Sequence, residues 1–239
     1  MSRRRFFVDE VRNGQAEIPG GRASHLTSVL RVEPGQKFEL SDNKNVYLAE
    51  VELARKQRVV FRILERLPLP DPSVRLHLFA ALTKFDRFEW MLEKATELGV
   101  ETIVPVEAAR CEKGLERAAF KRVDRWKRIL LEASQQSRRV QIPGMEEPWS
   151  LADAMRCDAA ARFVLLETAG APAILTALPE HRAVSDVVAV LAGPEGGWTE
   201  EEAAAFSNSG WRAVSLGPRI LRAETAALAA LAVLGAAWR

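Results

Sequence analysis

The sequence predicts an α/β protein in two parts: a small β-barrel over residues 1–70 and a larger domain over residues 71–239 built on a parallel sheet. The boundary is marked by Pro68, Pro70 and Pro72, whose alternate spacing stiffens the backbone and prevents helix formation. Before these prolines the chain is rich in short β-type runs, and after them apolar runs alternate with helical patterns. This change of pattern predicts two domains of different architecture.

The first part predicts a barrel because its β-type runs are short and separated by turn signals. Pro34-Gly35 and Asp42-Asn43 are two such turns. One short helix is predicted over 23–30. The predicted strands cover residues 6–8, 37–40, 46–51 and 58–64.

The second part predicts a parallel sheet with helices on both faces. Its strands are continuously apolar, as expected when both faces of a sheet are buried. The predicted strands are 76–82, 102–106, 163–166, 187–191 and 214–216, and helices are predicted at 87–98, 115–136 and 225–238. The first of these helices ends at Gly99.

The composition excludes several classes of protein. Hydrophobic residues are 48% and charged residues 28% of the chain, values typical of a globular protein. No apolar run reaches the roughly 18 residues of a membrane span, and the first residues lack the apolar core of a secretion signal. Cys111 and Cys157 lack zinc-ligand spacing, and the three histidines are scattered. We therefore expect a cytoplasmic protein with no membrane and no metal.

Common nucleotide-binding motifs are missing from the sequence. It contains no Gly-x-Gly-x-x-Gly after a strand, no Walker A sequence and no His-Glu-x-x-His. Ordinary Rossmann dinucleotide enzymes and P-loop ATPases are therefore disfavoured.

Charge is unevenly distributed along the chain. The formal net charge is +2, but residues 1–149 carry 27 basic and 22 acidic side chains against 7 and 10 in residues 150–239. Basic residues cluster within 110–128, where four of them recur at three- and four-residue spacing and would share one helix face: Arg117, Lys121, Arg125 and Arg128. This cluster indicates either a polyanionic partner or a solvated helix face, and the pattern leaves both open.

A glycine-rich loop follows the strand predicted at 187–191. The loop is Gly193-Pro194-Glu195-Gly196-Gly197, and Thr199 and Glu202 then form the capping-box pattern of a helix start. Ligands of α/β proteins bind where parallel strands end, and glycines let a ligand approach bare backbone. The segment predicts a ligand loop, with a tight strand–helix turn as the alternative.

A second loop of the same kind leaves the strand predicted at 214–216. It passes through Gly217-Pro218, carries Arg219 and Arg222, and reaches the helix start at Glu224. Two Gly-Pro exits from neighbouring strands would form opposite walls of one pocket. Because a helix start favours anions, the arginines indicate a bound ligand or an ion pair with an acid.

Both loops together resemble one family. Leu191-Ala-Gly-Pro-Glu-Gly-Gly-Trp-Thr-Glu-Glu-Glu and Ser215-Leu-Gly-Pro-Arg-Ile-Leu-Arg-Ala-Glu-Thr-Ala-Ala resemble the 16S ribosomal RNA (uracil-1498) N3-methyltransferases of the SPOUT superfamily. His25-Leu-Thr-Ser-Val-Leu-Arg, Lys94-Ala-Thr-Glu-Leu-Gly-Val and Glu132-Ala-Ser-Gln-Gln-Ser-Arg extend the likeness along the chain. The sequence departs from the family at Ala223, where Thr is expected, and at Trp198, where Phe is commoner.

The resemblance implies a PUA-like N-terminal barrel and a C-terminal domain with a trefoil knot. It also implies a homodimer that binds S-adenosylmethionine among three loops and methylates N3 of one uridine in the 16S RNA of the small ribosomal subunit. The cofactor residues expected from these loops are Leu166, Glu167, Leu191, Gly193, Glu195, Gly197, Ser215, Leu216, Gly217, Ile220, Leu221 and Arg222. Gln136 and Arg138, in the matched Gln-Gln-Ser-Arg segment, are expected to contact RNA.

Arg222 and Glu224 are the expected catalytic residues. A uracil N3 is a poor nucleophile until its proton leaves, and a guanidinium can stabilise the negative charge that then develops. Glu224 would take the proton, orient Arg222 or stabilise the helix start. Two alternatives remain at this point: a non-catalytic RNA-binding protein with the same fold, and an enzyme of the superfamily that methylates another group, such as a ribose 2′-hydroxyl.

Overall fold

The chain divides into two compact units. The computed structural model describes residues 4–167 and 170–238, so residues 1–3 of the first predicted domain lie outside the described residues. The first unit contains the chain up to Asp71 together with Ser134–Ile142, and the second contains Pro72–Ala133 and the chain from Pro143 onward. The sequence had placed Ser134–Ile142 in the second domain. Residues far apart in sequence share the first unit, which no local pattern signals.

The first unit is built on a six-stranded sheet. All neighbouring strands are antiparallel except β1 and β4, which pair in parallel. The elements are β1 (Arg5–Phe7), β2 (Val11–Arg12), β3 (Gln15–Pro19), α1 (Gly20–Ser28), β4 (Lys37–Ser41), β5 (Val46–Arg55) and β6 (Arg58–Leu67). The strand order along the sheet is β1-β4-β5-β6-β3-β2.

The core of the first unit lies between the sheet and α1. Phe6, Leu40 and Phe61 are almost fully buried, and α1 adds Ala23 and Leu26 to the same cluster. Burial alternates along β3, so every second side chain of this strand points into the core.

Two features of the first unit differ from the sequence prediction. The helix predicted at 23–30 begins earlier, at Gly20. The hairpin of β2 and β3 was missed, although Asn13-Gly14 between them adopts positive φ angles of 50° and 76°. An Asn-Gly pair in this conformation is the usual two-residue hairpin turn, so the signal was present in the sequence.

The second unit is built on a parallel sheet flanked by helices. Its strands are β7 (Arg75–Ala81), β8 (Thr102–Glu107), β9 (Gly144–Met145), β10 (Trp149–Ser150), β11 (Ala161–Leu165), β12 (Val187–Ala192) and β13 (Arg212–Val214). Its helices are α2 (Phe85–Glu97), α3 (Leu115–Phe120), α4 (Val123–Gln136, grouped with the first unit from Ser134 onward), α5 (Leu151–Met155), α6 (Glu200–Asn208) and α7 (Ala223–Ala237). A short 3₁₀ helix spans Ile174–Ala177.

Every strand pair of this sheet is parallel. The order is β10-β8-β7-β12-β11-β13, and β9 pairs with β8 beside this path. The predicted fold class, a β-rich part followed by a parallel α/β part, is confirmed. Because all strands run in one direction, their carboxyl ends lie along one edge of the sheet.

The last helix packs against the sheet. On α7, Ala227, Leu231 and Leu234 are fully buried, and the helix contacts β12, β7 and α2. Small alanines allow this close approach. Within the described residues, no helix is long and apolar enough to cross a membrane.

Candidate active site

The candidate site lies where three neighbouring strands end. β11 is in the middle, with β12 on one side and β13 on the other. Leu166 directly follows β11, Gly193 follows β12 and Ser215 follows β13. The two Gly-Pro loops therefore do not leave neighbouring strands, as the sequence had suggested, but flank the exit of β11. This edge is where α/β proteins bind ligands.

Backbone hydrogen bonds join the loops after β11 and β13. The Leu166 N–H donates to the Val214 carbonyl at 3.0 Å, continuing the pairing of the two strands. Beyond the strands, the Ser215 N–H donates to the Pro172 carbonyl at 2.8 Å and the Ile174 N–H to the Ser215 carbonyl at 2.9 Å. Ser215 is thus fixed on both sides by the loop after β11.

The glycine-rich loop is held by side chains from two other elements. Arg87, in the first turn of α2, forms an ion pair with Glu195. Arg110, which follows β8, donates to the Gly196 carbonyl at 2.9 Å. The candidate Glu195 is therefore oriented by Arg87, and its side chain remains partly exposed. Sequence reasoning missed both arginines, whose only signal is a position just after a buried strand.

The predicted capping box of α6 is confirmed. Thr199 Oγ1 accepts from the Glu202 N–H at 3.2 Å, and Glu202 Oε2 accepts from the Thr199 N–H at 2.8 Å. The other oxygen of Glu202 accepts from the Ala109 N–H at 2.8 Å. One carboxylate therefore starts the helix and anchors the loop that carries Arg110.

The two candidate glycines of this loop serve different purposes. Gly197 has a φ of 68°, a conformation that side chains with a Cβ rarely adopt. Gly193 does not lie in the left-handed region; a Cβ there would instead collide with Trp198. The sequence had credited both glycines with backbone freedom, and the structure shows a positive φ at Gly197 and none at Gly193.

The remaining cofactor candidates vary in exposure. Ile220 is 85% exposed, an unusual state for such an apolar side chain. Residues that are fully exposed or half-buried at the same edge are Leu166, Glu167, Ser215, Leu216, Gly217, Leu221 and Arg222. Leu191 must be corrected: it has no exposed surface and packs in the core with Phe79 and Val104. It supports the loop from within the sheet and does not line a binding surface.

Arg219 and Arg222 are free to bind a ligand. Within residues 4–167 and 170–238, no carboxylate forms an ion pair with either side chain, and both are exposed. The described part of the chain therefore does not support the alternative in which these arginines form ion pairs with an acid of the protein. Arg222 is the N-cap residue of α7, directly beside the loop.

Glu224 lies in the first turn of α7 and is 7% exposed. Its Oε2 has no hydrogen-bond partner among the described residues. It does not pair with Arg222, so the orienting role expected from the sequence is not seen, whereas its place at the helix start suits the helix dipole. A buried carboxylate oxygen without a donor is costly and indicates a missing partner.

The predicted basic helix is interrupted. The structure has α3 and α4 in place of one helix over 115–136, with a turn at Lys121 and Arg122. The spacing argument that placed Arg117 and Lys121 on one face with Arg125 and Arg128 is therefore wrong, because it assumed a continuous helix.

Arg125 is held by an acid on α2. It donates from Nε and Nη2 to Glu89 at 2.8 and 2.7 Å, and Arg122 donates to the same carboxylate at 2.9 Å. Arg122 also lies over the Phe85 ring, 4.3 Å from its centroid. Glu89 therefore ties α2 to the turn before α4 and to the first turns of α4.

We expect Glu89→Gln to lower the free energy of unfolding by about 1 kcal/mol at neutral pH. Hydrogen bonds from Arg125, and then from Arg122, hold the pKa of Glu89 below its ordinary value of 4.5. A lowered pKa stabilises the fold above that value, and the benefit is lost as the pH falls through the folded-state pKa. Denaturant unfolding should therefore show a difference from the parent protein that shrinks on acidification.

Glu93→Gln on the same helix is the matched control for Glu89. Glu93 pairs with Lys94 in an exposed contact, which is worth little in water. An equal loss in both variants, or a Glu89 effect independent of pH, would contradict the assignment.

Arg138 belongs to the first unit and pairs there with Glu39. Glu39 is 7% exposed and also binds Arg5, whose Nε and Nη2 donate at 3.1 and 2.8 Å. Arg5 further donates to the Arg138 carbonyl. The backbone of this segment is thus fixed on β1 and β4, while the neighbouring candidate Gln136 is exposed.

Other chemistry is disfavoured at the described residues. A shallow cavity of about 470 Å³ involves Glu180, His181, Arg182 and Asp186, but it lies at the amino end of β12, opposite the loops. Burial raises the pKa of both thiols, that of Cys157 to about 11, so neither forms a ready thiolate nucleophile. No group of three metal-ligating side chains occurs in the described part of the chain.

Comparison with known proteins identifies the family. The model of the RNA methyltransferase domain matches residues 70–235, and the model of the RNA methyltransferase PUA domain matches residues 18–64. The chain belongs to the RNA methyltransferase family. The family prediction is confirmed, and the loops described above lie within the matched methyltransferase domain.

Relatives of this RNA methyltransferase cover nearly its whole length. Ribosomal RNA small subunit methyltransferase E of Mycobacterium bovis is 31% identical over 96% of this chain and 90% of its own. The Neisseria gonorrhoeae protein of the same name, solved with S-adenosyl methionine, has a TM-score of 0.88 at 31% identity over 99% and 98% of the two chains. A putative Legionella pneumophila methyltransferase, solved with the cofactor SAM, has a TM-score of 0.89 at 31% identity over the same shares.

Proposed function

We propose that this RNA methyltransferase transfers a methyl group from S-adenosylmethionine to N3 of one uridine in 16S RNA of the small ribosomal subunit, uracil-1498 by the family resemblance. The observation that carries the proposal is the meeting of three loops at the carboxyl ends of β12, β11 and β13. Two relatives that are 31% identical over nearly the whole chain were solved with this cofactor. The name of the Neisseria gonorrhoeae relative supports a ribosomal RNA substrate.

The residues at this edge fit S-adenosylmethionine. Exposed Ile220 and half-buried Leu221 offer apolar surface for an adenine ring, and Gly197 and Gly217 expose backbone for polar groups. Glu224 offers a buried oxygen that lacks a donor among the described residues, which a cationic or N–H-bearing ligand can satisfy. When bound, the cofactor supplies an activated methyl group, whose transfer breaks a carbon–sulfur bond and leaves a neutral thioether.

Arg222 has the chemistry to assist the nucleophile. Removing the N3 proton places negative charge on the uracil imide, and a guanidinium beside the O2 or O4 carbonyl stabilises this charge. A guanidinium is a poor proton acceptor in proteins, so the proposed role of Arg222 is electrostatic. In our proposal Glu224 either receives that proton or binds the cofactor, and its buried position keeps water away.

Exposed cations of α3, of α4 and of the turn between them would hold the RNA backbone. Arg117, Lys121 and Arg128 are exposed, and no ion pair engages them within the described residues. We expect the double change of Lys121 and Arg128 to Glu to weaken RNA binding for every sequence. The slope of log affinity against log salt should fall by about one unit for each lost phosphate contact.

The control for the RNA prediction is Arg182→Glu, an exposed arginine at the opposite edge of the sheet. Filter binding at several salt concentrations measures both quantities. Unchanged RNA affinity in the double variant would indicate that these residues belong to an ordinary solvated surface.

Further parts of the proposal follow from the family. We propose a homodimer and a cytoplasmic site of action, where ribosomal subunits are found, and the trefoil knot stays a prediction of the resemblance. Sedimentation at micromolar concentration tests the dimer, and a monomer mass would contradict it.

The deciding experiment maps methyl groups on ribosomal RNA. Mass spectrometry of 16S RNA from a deletion strain, with and without the gene restored, should show one uridine that gains a methyl group on its base. A gain on ribose would make that phosphodiester resistant to alkali and indicate the 2′-hydroxyl alternative. No heat of binding with S-adenosylmethionine would indicate a non-catalytic RNA-binding protein.

A further inference from the structure

A glycine is needed at position 193 because of the side chain of Trp198 and not because of its own backbone conformation. Its φ lies outside the left-handed region, so other residues could adopt the same conformation. A Cβ on residue 193, however, would lie 2.9 Å from both Cε2 and Nε1 of Trp198, closer than such atoms approach. Either the loop or the indole ring would have to move to accept any side chain here.

The indole ring is fixed at two places outside its own loop. Its Nε1–H donates to the Leu165 carbonyl at 3.1 Å, at the last residue of β11. Its ring packs edge to face against Phe206 of α6, with centroids 4.8 Å apart. Moving the ring would break a hydrogen bond to a buried residue and an aromatic contact.

Trp198 thereby connects two of the three loops at the candidate site. Leu165 immediately precedes Leu166 and Glu167, which leave β11, while Gly193 begins the loop that leaves β12. The ring fills the space above Gly193 and bonds to the end of β11 at the same time. The ring is thus in contact with the start of one loop and bonded to the end of the strand from which the other loop leaves.

We propose that Trp198 is a positioning residue that sets the spacing of the cofactor loops, with Gly193 as the small residue that makes room for it. The inference rests on the proposed S-adenosylmethionine site. It requires that the two residues act as a unit, so that a change at one alters the effect of a change at the other.

The experiment is a double-mutant cycle on the full-length protein, with S-adenosylmethionine affinity measured by calorimetry. Gly193→Ala should weaken binding by about tenfold or more, because the new Cβ displaces the fixed ring. Trp198→Leu removes the atoms that this Cβ would meet. Trp198→Leu alone should also weaken binding, because the loops lose the ring that positions them, but the double variant should bind about as tightly as Trp198→Leu, so the two losses do not add.

Trp198→Phe isolates the hydrogen bond, because it removes the N–H donor and keeps an aromatic ring beside Phe206. It should weaken cofactor binding by about fivefold, the usual worth of one hydrogen bond, and raise the KM for the cofactor more than it lowers kcat. Trp211→Phe is the matched control. Trp211 donates to the Met155 carbonyl at the same 3.1 Å, packs on Phe79 and directly precedes the amino end of β13.

The outcomes separate the inference from the function on which it rests. If Gly193→Ala and Trp198→Leu add independently, Gly193 contacts the ligand itself and the positioning role is overturned. Equal losses of cofactor affinity in Trp198→Phe and Trp211→Phe would likewise show that the loss at Trp198 reflects lower stability of the fold, and would contradict the positioning role. If the parent protein binds no S-adenosylmethionine, the proposed function fails, whereas binding by the parent with an additive cycle rejects the positioning role alone.

Discussion

Replacing Arg222 with alanine is expected to slow methyl transfer by about 10²–10³-fold, the usual cost of losing one group that stabilises developing charge. The structure supports this choice because Arg222 is exposed at the start of α7, and no acid engages it within residues 4–167 and 170–238. Cofactor affinity should change much less, since charge develops on the uracil only during transfer. Turnover on assembled small subunits and calorimetry with S-adenosylmethionine measure the two effects separately.

Arg219→Ala is the control for Arg222. It removes the same charge from the same exposed loop, three residues earlier in the chain. A similar loss of turnover in both variants would indicate a general effect of loop charge. Near-normal turnover of the Arg222 variant would remove this residue from the mechanism.

Gly197→Val is expected to abolish detectable binding of S-adenosylmethionine. Two effects act together: a branched side chain fills space in the loop after β12, and valine is strongly disfavoured at the φ of 68°. Because residues with a Cβ rarely adopt this φ, the backbone of the loop itself must change to accept valine. Calorimetry on the purified variant measures the loss.

A matched variant separates backbone strain from the loss of the site. Gly14 has a φ of 76°, and, as at Gly197, no atom lies within 4 Å of the position that a Cβ would occupy. It lies in the hairpin turn of the first unit, so Gly14→Val should lower stability to a similar degree and leave cofactor affinity unchanged. Unchanged affinity in Gly197→Val would place the cofactor elsewhere.

Local signals predicted much of the second unit. The apolar runs of β7, β8, β11, β12 and β13 agree with the structure to within a few residues at each end. The capping box at Thr199 and Glu202 was correct because both of its hydrogen bonds lie within four residues of sequence. The two loops that carry the family resemblance also follow buried strands, as expected.

The ion-pair partners of the basic side chains could not be predicted from local signals. Arg125 and Arg138 belonged to basic segments assigned to RNA, yet Glu89 and Glu39, far away in sequence, bind them. Whether a cation faces solvent or an acid depends on which element packs beside it. Leu191 was likewise assigned to the site from its place next to the glycine loop, although it is fully buried.

The sequence by itself determined the main strands of the second unit, the two Gly-Pro loops and the family, because periodicity, caps and short motifs act between residues close in the chain. Only the tertiary structure decided that β11 lies between β12 and β13, that Trp198 fills the space beside Gly193, and that Glu224 is buried. Strand order and packing depend on contacts between segments that are distant in sequence. The periodicity of apolar side chains shows which face of an element is buried, but not which element covers that face.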